Sequence, residues 1–114
     1  MELTARRAGE AVVIAVVGRI DLSTLAEFHE GLGPLVSAAT TTGRNIVVDL
    51  AGVDYFYEGW RPLMLAWKEC RSAGVRIALA SLQPDLRDRF ERANFHKAMP
   101  IFATVTEALT ALTR

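Results

Sequence analysis

The sequence predicts a single α/β domain, residues 1–114, built on a mixed sheet, and three observations lead to that prediction. The chain has 114 residues, 51% hydrophobic and 23% charged, which is the composition of a packed globular domain. Short β-branched runs alternate with segments whose apolar residues recur at helical spacing. The first two β-rich segments are joined only by Gly9 and Glu10, too short a link for a crossover. We therefore expect four or five strands and about four helices, the long ones mainly on one face.

The chain is predicted to open as a β-hairpin. A weakly alternating segment, ELTARRAG, precedes the β-rich run AVVIAVVGRI, which has the composition of a better buried strand. In that second strand, Val12, Ile14 and Val16 should face one side of the sheet and Val13, Ala15 and Val17 the other, because side chains alternate along a strand.

An amphipathic helix should follow. Thr24 and Glu27 have the T-x-x-E spacing of a capping box, which marks a helix start. The apolar residues at helical intervals are then Leu25, Phe28, Leu32, Leu35, Val36 and Ala39. Because Pro34 lies inside this pattern, the sequence predicts either a kink near Gly33 and Pro34 or two shorter helices.

The middle of the chain reads as a strand, an aromatic segment and a second helix. NIVVDL, residues 45–50, is the predicted strand, and Pro62 suits the first turn of the helix, which should end at Gly74. Cys70 falls on the apolar stripe of that helix. As the only cysteine it can form no internal disulfide, so we expect a buried thiol.

The last third repeats the alternation. VRIALA, residues 75–80, is a predicted strand, and a helix should open at Pro84 and stop near Asn94. IFA, residues 101–103, is a short predicted edge strand. Thr104 and Glu107 form a second T-x-x-E box before a closing helix.

Charge and motif content exclude several classes of function. Thirteen basic residues balance thirteen acidic ones, so no net field favours nucleic acid or an anionic membrane. The longest apolar run, residues 11–17, is too short to insert in a membrane, and we expect a cytoplasmic protein. His29 and His96 lack the neighbours that zinc sites need. We therefore expect no metal, no cofactor and no catalytic residues.

The order of motifs resembles the STAS domain. The chain reads GRID at 18–21, then a helix, NIVVDLAGVDYF, a helix ending in CRSAGVRIALAS, and PDLRDRFERANF. Gly18 and Asp21 match the family turn motif G-x-[IL]-D, and the resemblance covers nearly the whole chain. It implies the fold of bacterial anti-sigma factor antagonists and of the cytoplasmic tails of sulfate transporters.

The resemblance also implies a phosphorylation switch from which this sequence departs. In switching family members, a kinase that is also the anti-sigma factor phosphorylates a Ser or Thr at the start of the second long helix. Here that position falls on Gly59, or on Glu58 if one deletion is allowed, and neither accepts phosphate. Tyr57 is the only hydroxyl within reach, and its phenol extends too far to take that role. The sequence therefore predicts a family member without the usual switch.

The aromatic run in VDYFYEGWRP has two interpretations. At least one of Tyr55 and Phe56 should be core. Tyr57 and Trp60 replace small family residues, so each either covers the sheet edge or remains exposed as a binding anchor. Glu58 is either a helix-terminal carboxylate, which complements the helix dipole, or a partial mimic of phosphoserine.

These observations predict a non-catalytic interaction module that regulates transcription or a stress response by partner switching. The implied partner is an anti-sigma factor or a GHKL-type serine kinase, and a homodimer is left open. The predicted contact residues are Tyr57, Glu58, Gly59, Trp60 and Arg61. The alternative function is a domain that senses a small ligand such as a nucleotide, or a regulatory part of a transport system.

Overall fold

The structure, a computed structural model, describes residues 1–113 as a five-stranded sheet with helices on both faces. The strands lie in the order β1-β2-β3-β4-β5; β1 is antiparallel to β2 and the other pairs are parallel. This confirms the predicted fold class. In chain order the elements are β1 (Glu2–Ala8), β2 (Ala11–Ile20), α1 (Leu25–Thr41), β3 (Asn45–Phe56), α2 (Trp60–Ala73), β4 (Ile77–Ala80), α3 (Pro84–Arg92), a 3₁₀ turn (Phe95–Lys97), β5 (Ile101–Phe102) and α4 (Val105–Leu112).

The sheet separates two cores. Val12, Ile14 and Val16 belong to the larger cluster, which α1, α2 and α3 cover, whereas Val13 belongs to a smaller one beneath α4. The two sides of β2 therefore face opposite cores, as the alternation predicts. The long helices lie on one face, and the short α4 covers part of the other.

Several predicted boundaries are confirmed. Gly74 ends α2 in a left-handed conformation with φ 73°, and Asn94 follows α3 with φ 59°. Thr104 caps α4, because its Oγ1 accepts a hydrogen bond of 3.1 Å from the amide of Glu107. Cys70 is fully buried, and that burial raises the pKa of its thiol to about 11. The thiol therefore stays protonated at neutral pH and packs in the core rather than acting as a nucleophile.

The structure bears on two predictions about α1. The helix is continuous from Leu25 to Thr41, so Pro34 does not divide it into two pieces, and of the two alternatives only the kink stays a prediction. The first capping box does not form. The side chain of Thr24 makes no cap hydrogen bond, because its hydroxyl accepts instead from the amide of Asp21 at 2.9 Å and donates to the carbonyl of Arg19 at 2.7 Å.

Strand β3 is six residues longer than predicted. Past residue 50 it continues to pair with β2 through two register shifts, one on each side of Val17, so that Val17 lies beside Gly52 and Ile20 beside Phe56. The extension is stabilised because Phe56, at its end, is almost fully buried. It brings the aromatic segment to the carboxyl edge of the sheet, next to the end of β2.

Candidate partner-binding site

The loop of residues 57–59 joins β3 to α2 beside the end of β2. The amide of Tyr57 donates a hydrogen bond of 2.7 Å to the carbonyl of Ile20. The guanidinium of Arg89, on α3, donates one of 2.9 Å to the carbonyl of Phe56. The entrance to the loop is therefore fixed from two neighbouring elements.

Gly59 caps the N-terminus of α2 and has no space for a side chain. A Cβ placed on it would lie 2.6 Å from the ring of Phe56 and 3.0 Å from Cγ2 of Ile20. Contacts of 2.6 Å do not occur between real carbon atoms, so the ring would have to move. The Phe56 ring thus occupies the place where a side chain at this position would begin.

Glu58 lies just before the helix cap and has an unusual backbone conformation. Its φ is +63°, in the left-handed region that costs a residue with a side chain about 1–2 kcal/mol. Its side chain is exposed, and the cap of α2 receives no side-chain hydrogen bond. The carboxylate is therefore presented to solvent beside the helix start rather than bonded to it.

Trp60, the first residue of α2, joins a cluster of rings. Its ring centroid lies 4.5 Å from that of Phe90, 5.1 Å from Phe95 and 5.2 Å from Phe56. The side chain is half-buried against the larger core. Of the two interpretations left open for this ring, the geometry favours cover over exposed anchor.

The other aromatic residues divide between core and surface. Phe56 is 1% exposed, which confirms that at least one of Tyr55 and Phe56 is core. Tyr55 and Tyr57 are both exposed, and the guanidinium of Arg19 lies 4.4 Å from the centroid of the Tyr55 ring. Arg61 is exposed on the first turn of α2. Tyr57, Glu58 and Arg61 therefore form the accessible part of the predicted contact set, while Gly59 is buried.

The family turn motif supports this loop from β2. Gly18 has φ +128°, a conformation that suits glycine, at the irregularity that displaces the end of β2. Asp21 accepts hydrogen bonds from the amide and the hydroxyl of Ser23, at 2.9 and 2.6 Å. These bonds, the hydroxyl of Ser23 first, lower the pKa of Asp21 to about 2. The motif holds the turn whose Ile20 carbonyl binds Tyr57.

Two open grooves flank the loop, and sequence reasoning missed both. One, of about 510 Å³, lies between the N-terminal parts of α1 and α2; Leu22 and Leu65 lie in its wall. The other, of about 750 Å³, lies between β3 and α3, with Asp54 and Asp85 in its wall. The sequence does contain one signal of the first groove: Leu65 is an apolar residue on the side of α2 that faces away from the apolar stripe of that helix.

The histidines and the possible metal ligands do not form a cluster in the described residues. Across residues 1–113, no group of three or more His, Cys, Asp or Glu side chains is arranged to hold a metal ion. His29 is exposed, as expected for a surface residue. His96 is half-buried instead, and its Nδ1 is enclosed without a hydrogen-bond partner. No helix within residues 1–113 has the length and hydropathy needed to cross a membrane.

Solved structures with this fold include several anti-sigma factor antagonists. An anti-sigma factor antagonist from Mycobacterium paratuberculosis matches with a TM-score of 0.84 and 20% identity, over 99% of this chain and 94% of that one. A STAS-domain antagonist from Planctomyces limnophilus gives 0.81 and 20%, over 98% of each chain. The phosphorylated form of SpoIIAA from Bacillus gives 0.68 and 19%, over 96% and 98%. At these identities, the matches show the fold alone. Among curated protein sequences, none is significantly similar to this chain.

A mixed five-stranded sheet, with three helices over one face and a short helix over the other, defines an α/β domain with the STAS fold. The model of the STAS domain family matches residues 2–108. The chain belongs to the STAS domain family, and it resembles anti-sigma factor antagonists over nearly its full length.

Proposed function

We propose that this chain, acting as one domain in the bacterial cytoplasm, is an anti-sigma factor antagonist without the Ser/Thr phosphoswitch. It binds an anti-sigma factor or a GHKL-type serine kinase and so controls transcription by occupancy of the partner. Binding is then regulated by the amounts of the two proteins rather than by phosphate on the loop before α2.

The surroundings of Gly59 are the observation that supports this proposal most directly. A hydroxyl-bearing residue there would meet the Phe56 ring at 2.6 Å, so the loop is packed for glycine. The neighbouring alternative, Glu58, already carries a negative charge in solvent. Neither residue can accept phosphate, and the local packing opposes restoring an acceptor at residue 59.

The proposed contact surface combines the accessible residues of the loop. Tyr57 offers an exposed ring, Glu58 a carboxylate and Arg61 a guanidinium, all within the start of α2. Trp60 supports this surface from below, because its ring packs on Phe56 and Phe90. Exposed tyrosine and arginine are residue types enriched in binding hot spots.

A nucleotide sensor is a weaker interpretation of the same geometry. The larger groove beside the loop has the carboxylates of Asp54 and Asp85 in its wall. Arg89, the one cation in that wall, already donates to the carbonyl of Phe56. This charge pattern repels phosphate groups, which favours a protein partner.

The test is binding in the presence and absence of ATP. The purified chain is titrated calorimetrically against each kinase-type anti-sigma factor of the source genome, and the mixtures are then analysed by mass spectrometry. We expect one complex that persists with ATP, with residues 57–59 unmodified. An antagonist that retains its acceptor serine is the matched control and should dissociate as it is phosphorylated.

Three results would change the proposal. Stoichiometric phosphate at residues 57–59 would overturn the missing switch, and phosphate on Ser23, Ser37, Ser72 or Ser81 would place it elsewhere. No binding to any anti-sigma factor would overturn the antagonist function.

The variant Glu58→Ser distinguishes the two interpretations of Glu58. Tighter binding to the anti-sigma factor would identify Glu58 as a phosphate mimic, and unchanged binding would identify it as a simple charge at the helix terminus.

A further inference from the structure

The groove between α1 and α2 is an apolar feature that the fold leaves uncovered next to the loop. Its volume is about 510 Å³. Leu22, at its edge, is 70% exposed, more than any other large hydrophobic residue among residues 1–113, and Leu65 is 39% exposed. The remaining wall is formed by Leu25, Ala26, His29, Arg61 and Pro62.

The fold itself does not account for the position of Leu22. Its backbone lies in the turn that Asp21 fixes through hydrogen bonds to Ser23 and to the amide of Thr24. Neither Leu22 nor Leu65 belongs to either hydrophobic core or packs against one. A rigid turn thus presents a leucine to water, beside a second leucine on α2. Contiguous exposed apolar residues with a polar rim are typical of interaction sites.

The charged residues in the groove wall indicate which charge its occupant should carry. Its wall contains Arg61 and His29 and no carboxylate. Within residues 1–113, the guanidinium of Arg61 makes no ion pair. An occupant with apolar side chains and a carboxylate at the Arg61 end would complement both properties.

We propose that this groove seats an apolar, carboxylate-bearing segment of the anti-sigma factor, with Leu22 and Leu65 as its anchors and Arg61 as its ion-pair partner. The inference rests on the proposed function, because Arg61 belongs both to the groove and to the loop surface described above. In this inference the apolar anchors of the contact are the two leucines, instead of Trp60, which the sequence had left open as an anchor.

Truncation of the leucines tests the anchors. In calorimetric titrations with the anti-sigma factor that binds the natural chain, Leu22→Ala and Leu65→Ala should each weaken binding about tenfold. Val17→Ala is the matched control, because Val17 is 53% exposed on the opposite face of the sheet. Its affinity should be unchanged. The melting temperatures of the two leucine variants should stay near that of the natural chain, since neither side chain is part of a core.

Salt dependence tests the ion pair. Arg61→Gln should weaken binding and flatten its dependence on salt, because salt screens an exposed charge pair. Lys68→Gln is the control, as Lys68 is an exposed cation on α2 outside the groove wall. Arg61→Lys should restore part of the salt dependence.

The outcomes separate this inference from the proposed function. If an anti-sigma factor binds and Tyr57→Ala weakens it while both leucine variants bind like the natural chain, the groove inference is wrong and the antagonist function stands. If sedimentation shows a dimer that Leu22→Ala dissociates, the occupant is a second copy, and the inference is also overturned. If no anti-sigma factor binds, the proposed function and the inference fail together.

Discussion

Tyr57 and Trp60 are three residues apart and have opposite surroundings. Tyr57 is 43% exposed, whereas the Trp60 ring contacts the rings of Phe56, Phe90 and Phe95. The difference arises because Glu58 adopts a left-handed φ between them and turns the chain into α2. The side chain of Tyr57 is therefore accessible to a partner, whereas the side chain of Trp60 stabilises the fold.

Trp60→Ala should reveal this difference in the free protein. Removing a ring from an aromatic cluster leaves a cavity, so we expect the free energy of unfolding to fall by about 3 kcal/mol. Urea denaturation measures it, with Tyr57→Ala as the control, which should lose less than about 0.5 kcal/mol. Equal and small losses for both variants would show that Trp60 does not cover the core.

Glu58→Gly should stabilise the fold. Glycine adopts a positive φ without the steric cost that Glu58 bears, so we expect a gain of about 1 kcal/mol in the free energy of unfolding. Arg61→Gly is the matched control. Arg61 lies within α2, where glycine should instead cost about 1 kcal/mol. A loss of stability in Glu58→Gly would show that its carboxylate makes a stabilising contact.

At the scale of elements, the turn between β2 and α1 connects the family motif to the loop. Asp21 holds this turn through Ser23 and Thr24, and the neighbouring Ile20 accepts the hydrogen bond from Tyr57. The family turn motif is thus a structural support for the loop before α2.

This arrangement predicts a specific acid sensitivity. The pKa of Asp21 is lowered from 3.8 to about 2, so its carboxylate stabilises the fold above pH 3.8, and that contribution is lost as the pH falls through about 2. Between pH 4 and pH 2, the melting temperature should fall more steeply in the natural chain than in Asp21→Asn. Ser23→Ala, which lacks the hydroxyl donor, should begin to lose stability at a higher pH. Parallel profiles for all three proteins would contradict this role of Asp21.

At the scale of the molecule, one sheet divides two cores of unequal size. Leu32, on α1, belongs to the larger core, and Leu112, on α4, to the smaller. Since the sheet lies between the two clusters, the two side chains do not meet. The cores should therefore contribute independently to stability.

The double variant Leu32→Ala with Leu112→Ala tests that independence. Each single change should cost about 2–5 kcal/mol, because each side chain is at least 95% buried. The costs should add within about 0.5 kcal/mol, measured by chemical denaturation. A larger coupling would mean that the sheet transmits packing changes from one core to the other.

The sequence by itself determined the order of elements, and it predicts the loss of the phosphoacceptor. Alternation in β2, the helical spacing of Leu32 and Phe28, and the caps at Gly74 and Thr104 are local signals, because they depend on neighbours within a few residues. The glutamate and the glycine at residues 58 and 59 are the basis for predicting that this loop has no Ser/Thr switch. The family resemblance followed from the same ordered motifs.

Only the tertiary structure decided which residues of the candidate site are buried and which are exposed. Whether Trp60 is cover or anchor depends on Phe90 and Phe95, some thirty residues away in sequence, which no local pattern places beside it. Thr24 does not form its predicted cap, because its hydroxyl accepts from the amide of Asp21 and donates to the carbonyl of Arg19 at the end of β2. The groove at Leu22 forms because two helices meet there. Contacts between distant segments set burial, and burial separates the residues that hold this fold from those that a partner can reach.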